Sequence, residues 1–198
     1  MVAPPLTTRP APPRFWNVPN SLTVGRLVLG FGVCGLISAG YYHVALVVFV
    51  VAAVTDALDG YLARMLSQET PVGRQLDPLV DKLIVSGAMI HLLPHAESGL
   101  MPWMVNTIIV RELIVQALRS LIEGRGEPFG ARMAGKLKTV FQCVAIGTAL
   151  LVLGVSQPPT SLLWIRDGLI YTAVGLTVYS GCGYLAIAWP KLKGGPPD

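Results

Sequence analysis

The chain has 198 residues, of which 53% are hydrophobic and only 13% are charged, and its mean hydropathy is +0.59. An ordinary soluble domain carries about 25% charged residues, so this composition excludes a soluble globular protein and predicts an all-α, polytopic integral membrane protein. The formal net charge of +4 says little as a total, and we expect no nucleic-acid partner.

The chain begins with a stretch that lacks the pattern of a membrane span. Residues 1–13 are rich in proline and show no periodicity, which predicts a disordered tail. The stretch RFWNVPN (14–20) combines a basic residue, two aromatic residues and a proline, which is typical of an interfacial segment at the membrane surface.

Six apolar segments follow, each close to the ~20 residues that cross a bilayer as a helix. They lie near 21–40, 43–66, 78–96, 101–123, 136–155 and 163–189. The first contains four glycines, which favour close packing of helices: Gly25, Gly30, Gly32 and Gly35. We expect one membrane domain over 14–193 and a short tail at 194–198.

Lys and Arg are concentrated on alternate connections between these segments. The N-terminal tail, the 64–77 and 119–138 connections and the C-terminus are basic, whereas the opposite connections carry no Lys or Arg, and only Arg166 lies close to one of them. Because cytoplasmic loops of membrane proteins are enriched in Lys and Arg, we expect both termini on the cytoplasmic side of the cell membrane.

Four aspartates lie in or beside the second and third apolar segments, within DALDGYLARMLSQETPVGRQLDPLVDK (56–82). At about 100° per residue, Asp56 and Asp59 face the same side of a helix. Gly60 lies on this side too and clears space between the carboxylates, and Arg64 is one turn further on. On the next helix, three residues follow each other at spacings of four: Gly73, Asp77 and Asp81. If these two helices are neighbours, their four carboxylates therefore face each other across the gap between them.

Carboxylates crowded together in this way predict a metal site. Unpaired, they would repel one another, and charges near a membrane interior are costly. All-oxygen ligands favour Mg²⁺ or Mn²⁺ over zinc, and four shared carboxylates suit two ions. A two-ion site can stabilise both the attacking and the leaving oxygen of a phosphoryl displacement.

The full pattern, Asp56-x2-Asp59-Gly60-x2-Ala63-Arg64-x8-Gly73-x3-Asp77-x3-Asp81, resembles the signature of the CDP-alcohol phosphatidyltransferases, with every fixed position present. The resemblance implies six-span membrane enzymes, usually homodimers, that displace CMP from a CDP-linked alcohol. It implies metal ligation by Asp56, Asp59, Asp77 and Asp81, with Asp81 also the general base. The resemblance also implies contacts with the CDP-alcohol for Gly60, Arg64, Thr70 and Gly73.

Three further stretches are similar to the bacterial members that synthesise phosphatidylglycerophosphate. NVPNSLTVGR (17–26) resembles the start of those enzymes, which implies that Asn20, Thr23 and Arg26 line the nucleotide site. Residues 103–126 and 135–142 are similar as well, whereas the last span adds only hydrophobicity. The resemblance thus implies transfer of a phosphatidyl group from CDP-diacylglycerol to glycerol 3-phosphate. It also implies that the protein is in contact with membrane lipids.

Basic residues of the fourth and fifth segments are the candidates for binding an anionic acceptor. Arg111 lies near the middle of the fourth segment, where an unpaired cation is costly, and Glu112 could hold either Arg111 or Arg119 in place. Lys136 and Lys138 open the fifth segment. We expect Arg111, Arg119, Lys136 and Lys138 to bind the acceptor phosphate, since a guanidinium can donate two parallel hydrogen bonds to phosphate oxygens.

Other functions remain open from the sequence. The acceptor could be inositol phosphate first, then phosphatidylglycerol or serine, although the basic residues count against serine. A divalent-cation transporter, which is a different class of protein, would also explain the aspartates. That reading leaves Gly60, Arg64 and Gly73 without a role, and the outer halves of the spans offer no polar path.

Overall fold

The computed structural model describes residues 18–66, 71–124 and 133–193. Within these ranges, only the backbone is described for residues 18–23, 56–66, 71–79, Asp81, Ala134, Lys191 and Lys193. The described residues form six α-helices and one short 3₁₀ helix, with no strand among them, so the all-α prediction is confirmed there. The predicted tails, 1–13 and 194–198, lie outside the described residues.

The helices are α1 (Val18–Ser38), α2 (Tyr42–Leu66), α3 (Pro71–Leu92), α4 (Pro102–Glu123), α5 (Met133–Gly154) and α6 (Thr160–Lys193), with the 3₁₀ helix at Ala96–Ser98. Prolines mark several starts, because a proline in the first turn sacrifices no helical hydrogen bond. Pro19, Pro71 and Pro102 occupy such positions.

Two helices differ from the predicted segments in a way that matters for function. α3 begins at Pro71 rather than near 78, so its polar first turns and its apolar part form one continuous helix. Residues 18–20, which we expected at the membrane surface, form the first turn of α1, while 14–17 lie outside the description. Both extensions add the polar candidate residues to the same helices that form the bundle.

The six helices alternate in direction. α1 packs against α2 and α3, α5 packs against α2 and α6, and α4 packs against α6. Buried apolar side chains of all six helices meet in one core, among them Val33, Phe49, Met89, Ile108, Ile146 and Ile170. The starts of α1, α3 and α5 and the ends of α2, α4 and α6 thus lie at one end of the bundle, which we call the aspartate end.

α1 and α3 approach each other closely through two glycines. A Cβ at Gly30 would lie 2.6 Å from Cγ1 of Ile84, and a Cβ at Gly87 would lie 3.0 Å from Sγ of Cys34. The other three glycines of α1 have open space where a Cβ would be. The predicted role of the glycine-rich segment in close packing therefore rests on Gly30.

At the end opposite the aspartates, Arg166 of α6 holds the α3–α4 connection in place through a hydrogen bond. Its Nη1 donates to the carbonyl oxygen of Glu97 at 2.6 Å, and its Nε donates to Oδ1 of Asp167 at 2.9 Å. Gly99 has a φ of +74°, and a Cβ there would lie 2.6 Å from the Arg166 Nε. Glycine is required at this turn by both the backbone conformation and the close approach.

Large apolar side chains cover much of the outer surface. Phe31, Trp164 and Tyr179 are 71%, 74% and 72% exposed, and exposed apolar surface on this scale marks contact with a membrane or a partner. Two stretches of the described helices, Gly135–Gly154 and Thr160–Pro190, are long and apolar enough to cross a membrane.

Candidate active site

The four predicted metal-binding aspartates lie on two consecutive helices. Asp56 and Asp59 are in the last three turns of α2, and Asp77 and Asp81 are in the first three turns of α3. Because α2 ends at residue 66 and α3 begins at residue 71, the backbone can separate these helix ends by about 17 Å at most. The fold therefore brings both pairs to the aspartate end.

The predicted nucleotide-binding residues lie at the same end of the bundle. Gly60 and Arg64 follow the first aspartate pair on α2, Gly73 precedes the second pair on α3, and Asn20 and Thr23 are in the first two turns of α1. Thr70 lies outside the described residues, as do the side chains of these positions and of the aspartates. Where the side chains are described, no three His, Cys, Asp or Glu groups could hold a metal ion. The metal site stays a prediction.

Arg26 is the predicted nucleotide-binding residue whose side chain is described. It is only 4% exposed and lines a cavity of about 290 Å³ between α1, α2, α3 and α5. Ala52 and Ala53, one turn before Asp56, line this cavity, as does Ile84, one turn after Asp81. The cavity thus lies one turn further into the bundle than the aspartate positions, and its other lining is mainly apolar.

A buried ionic cluster joins α4 and α5. Nη1 of Arg111 donates to Oε1 of Glu112 at 3.1 Å, and Nζ of Lys138 donates to the same oxygen. The three side chains are 9%, 8% and 5% exposed. Buried charges require such pairing, because an isolated charge would lose its hydration without compensation. Two cations share one carboxylate, so the cluster retains a net charge of +1.

The same arginine is also held by α6. Nη2 of Arg111 donates to Oγ of Ser180 at 2.7 Å, and the guanidinium carbon lies 5.4 Å from the centre of the Tyr184 ring. Nearby, Nε2 of Gln142 on α5 donates to Oγ1 of Thr177 on α6 at 3.1 Å. Among the described side chains, the buried Nε of Arg111 meets no hydrogen-bond acceptor.

Lys82, the residue after Asp81, turns toward this cluster. Its Nζ donates to Oε1 of Gln116 on α4 at 2.5 Å, and Gln116 lies one turn after Glu112. Lys82 and Arg111 are both close enough to Lys138 for their positive charges to act on it. α3 therefore carries the predicted base and, at the next position, a cation directed at the basic cluster.

The structure brings together only two of the four predicted acceptor-binding residues. Arg111 and Lys138 meet at Glu112, whereas Arg119 is half-buried and Lys136 is exposed, and neither joins the contacts described above. The suggestion that Glu112 holds Arg111 is confirmed. The second partner of Glu112 is Lys138 rather than Arg119. Lys138 reaches Glu112 from α5, whereas Arg119 lies about two turns further along α4.

The contribution of α6 to this cluster was missed from the sequence, where the last span was expected to add only hydrophobicity. That expectation is wrong, since Thr177, Ser180 and Tyr184 all take part in polar contacts with α4 or α5. Their spacings of three and four residues place them on one helical face. A polar face of this kind within an apolar run was the available signal.

The sequence of the chain matches a known family over most of its length. Residues 16–179 match the family model described as CDP-alcohol phosphatidyltransferase. The chain belongs to this family. It is therefore a CDP-alcohol phosphatidyltransferase, and the resemblance found from the aspartate pattern is confirmed.

Relatives in the family align with most of the chain. A protein of Bacillus subtilis (strain 168) is 38% identical over 196 aligned positions, which cover 90% of this chain and 98% of the relative. A Pseudomonas fluorescens protein is 38% identical, covering 89% and 92%, and one from Escherichia coli (strain K12) is 33% identical, covering 87% and 95%. Each of these proteins is named CDP-diacylglycerol–glycerol-3-phosphate 3-phosphatidyltransferase.

Proposed function

We propose that this phosphatidyltransferase transfers a phosphatidyl group from CDP-diacylglycerol to glycerol 3-phosphate, giving phosphatidylglycerophosphate and CMP in phospholipid biosynthesis. The buried cluster of Arg111, Glu112 and Lys138, which has a net charge of +1, is the main support for this choice of acceptor. Such a cluster suits an acceptor that carries a phosphate group. The names of the full-length relatives support the same acceptor.

In the proposed reaction, a hydroxyl oxygen of glycerol 3-phosphate attacks the lipid-bearing phosphorus of CDP-diacylglycerol. The new P–O bond forms as the P–O bond to CMP breaks, and CMP leaves with the electron pair of that bond. The carboxylate of Asp81 accepts the hydroxyl proton. Its place on α3 supports this role, because the adjacent Lys82 points toward the cluster proposed to hold the acceptor.

The carboxylates Asp56, Asp59, Asp77 and Asp81 are proposed to hold two divalent cations, Mg²⁺ or Mn²⁺. Four carboxylates at two helix ends joined by a short turn would supply an all-oxygen donor set of the kind these ions prefer. When bound, the ions would neutralise the pyrophosphate and the charge that grows on the departing CMP. EDTA should abolish CMP release, and Mg²⁺ or Mn²⁺ should restore it; restoration by Zn²⁺ alone would contradict this assignment.

The CDP-alcohol would be bound by residues of α1, α2, α3 and the turn between α2 and α3: Asn20, Thr23, Arg26, Gly60, Arg64, Thr70 and Gly73. The cavity beside Arg26 supports this placement, since it combines a buried guanidinium with a mainly apolar lining. Such a lining suits the lipid chains where they leave the pyrophosphate. We therefore propose that the chains pass between the helices into the bilayer.

All six helices are proposed to cross the cell (inner) membrane, with the aspartate end and both termini on the cytoplasmic side. The two stretches that are apolar enough to cross, the exposed apolar side chains and the alternating basic connections support this arrangement. We also propose that the protein is a homodimer. Its mass in detergent, measured by light scattering, should be twice that of the chain.

The acceptor can be tested with purified protein in detergent, CDP-diacylglycerol and a panel of acceptors, with CMP release as the readout. We expect the highest kcat/KM with glycerol 3-phosphate, compared with inositol phosphate, phosphatidylglycerol and serine. Preference for inositol phosphate would keep the reaction and change the acceptor. Metal flux into proteoliposomes without CDP-diacylglycerol, together with no CMP release, would support a transporter instead.

A further inference from the structure

The C-terminal half of α6 contacts Arg111 at three different points. Oγ of Ser180 accepts from its Nη2 and donates to the carbonyl oxygen of Thr177 at 3.2 Å. The Tyr184 ring lies against the guanidinium. A Cβ at Gly181 would lie 3.0 Å from Cγ of Arg111, so the arginine stem passes directly over this glycine.

We infer that Ser180, Gly181 and Tyr184 are positioning residues that determine how Arg111 presents its guanidinium to the acceptor phosphate. This inference rests on the proposed function, in which Arg111 binds that phosphate. It assigns α6 a part in acceptor recognition that its apolar sequence does not suggest.

The three contacts restrict different movements of the arginine. Gly181 leaves room for the aliphatic stem. The attraction between the guanidinium and the Tyr184 ring, whose centre is 5.4 Å from the guanidinium carbon, favours one position of that group. The only proton of the Ser180 hydroxyl is directed to the Thr177 carbonyl, so its lone pairs face Arg111. Together with Glu112 on Nη1, these neighbours hold the guanidinium in one orientation.

Donors of the guanidinium remain for a ligand in this orientation. Glu112 and Ser180 each take one hydrogen bond, and the buried Nε has no acceptor among the described residues. A guanidinium binds phosphate best through two parallel N–H bonds, so its tilt governs the affinity. A change on α6 should therefore weaken acceptor binding, while the CDP-alcohol residues on α1, α2 and α3 stay in place.

The test measures steady-state kinetics of the full-length protein with Ser180→Ala, Gly181→Ala or Tyr184→Leu. We expect the KM for glycerol 3-phosphate to rise about five- to tenfold in each variant, the size of a lost desolvated cation–π or hydrogen-bond contact. The KM for CDP-diacylglycerol should change less than about twofold, since uniform loss of binding to one substrate leaves the other unaffected.

Two kinds of variant separate positioning from stability. Ser180→Thr keeps the hydroxyl and Tyr184→Phe keeps the aromatic ring. In both variants the KM for glycerol 3-phosphate should stay close to that of the unmodified protein. Gly175→Ala is the matched control for Gly181→Ala, because a Cβ at Gly175 on the same helix would meet nothing within 4 Å. Its kinetics should equal those of the unmodified protein.

Arg111→Ala distinguishes failure of this inference from failure of the proposed function. An unchanged acceptor KM in Arg111→Ala would overturn the role of Arg111 and the inference with it. A raised KM in Arg111→Ala, with no change in the three α6 variants, would overturn the inference alone. A parallel rise in both KM values without recovery by Ser180→Thr and Tyr184→Phe would mean that α6 only stabilises the fold, and would also overturn it.

Discussion

Asp81 and Glu112 are both carboxylates in a mainly apolar bundle, yet their surroundings imply different roles. Asp81 belongs to a group of four aspartates at two helix ends, which the proposed metal binding and proton transfer would explain. Glu112 is buried between two cations of α4 and α5, which is explained by neutralisation of those cations. Substitution of each by its amide tests these roles separately.

Asp81→Asn should reduce CMP release by a factor of about 10² or more, because a positioned general base contributes on that scale. Binding of CDP-diacylglycerol, measured by calorimetry, should persist in part since three carboxylates remain. Glu123→Gln, an exposed carboxylate at the end of α4, is the control and should retain full activity. A fully active Asp81→Asn protein would exclude Asp81 as the base.

Glu112→Gln should destabilise the fold by roughly 3 kcal/mol, since removing one partner leaves buried charges uncompensated. Thermal unfolding in detergent would measure the loss. Adding Lys138→Met should restore part of the stability, because one of the two unpaired cations is then gone. Glu97→Gln serves as the control, since this side chain is exposed. A Glu112→Gln protein as stable as the unmodified one would show that the ionic cluster does not need its carboxylate.

Among the helices, α1 and α3 approach each other closely at two glycines, Gly30 and Gly87. The tighter approach is at Gly30, where a Cβ would lie 2.6 Å from Ile84. Because α1 also carries the predicted nucleotide residues Asn20, Thr23 and Arg26, the packing of this pair bears on the active site as well as on stability.

Gly30→Ala should destabilise the protein by about 1–3 kcal/mol, the usual cost of overpacking. Gly32→Ala on the same helix should be neutral or stabilising by up to about 1 kcal/mol, because a Cβ there meets open space and alanine has the higher helix propensity. The unfolding temperature should therefore fall in Gly30→Ala and stay equal or rise in Gly32→Ala. Equal shifts would mean that the α1–α3 contact is looser than the structure indicates.

α6 spans 34 residues, which corresponds to about 51 Å at 1.5 Å per residue. This exceeds the ~30 Å hydrocarbon core of a bilayer, so an upright α6 extends past the core. The residues that contact Arg111 lie in its second half, toward the aspartate end. Under the proposed topology, this extra length lets α6 both cross the membrane and support the basic cluster.

For the molecule as a whole, the proposed topology predicts which side of the membrane each connection faces. In a variant without Cys34, Cys143 and Cys182, which are free cysteines, Gln157→Cys should react with an impermeant maleimide in intact cells. Ser67→Cys, between α2 and α3, should react only after the membrane is permeabilised. The reverse result would place the aspartate end outside the cell and would contradict the positive-inside argument.

The aspartate pattern and the helical class were accessible from the sequence, because both depend on short spacings. Residues three and four apart share a helix face whatever the tertiary structure, so Asp56 and Asp59, or Asp77 and Asp81, could be grouped without coordinates. The apolar segments could be located for the same reason. Family membership followed from these short-range features.

The partners of the basic residues depended on the packing of helices. Arg111 and Ser180 are 69 positions apart, and Lys138 and Glu112 are 26 apart, and helical periodicity carries no information on which distant faces meet. Projection on one helix therefore suggested Arg119 for Glu112, and α6 was taken as merely apolar. Local spacing was enough to identify the proposed reacting end of this phosphatidyltransferase, whereas contacts between distant segments determined which basic residues meet in the cluster proposed to hold its acceptor.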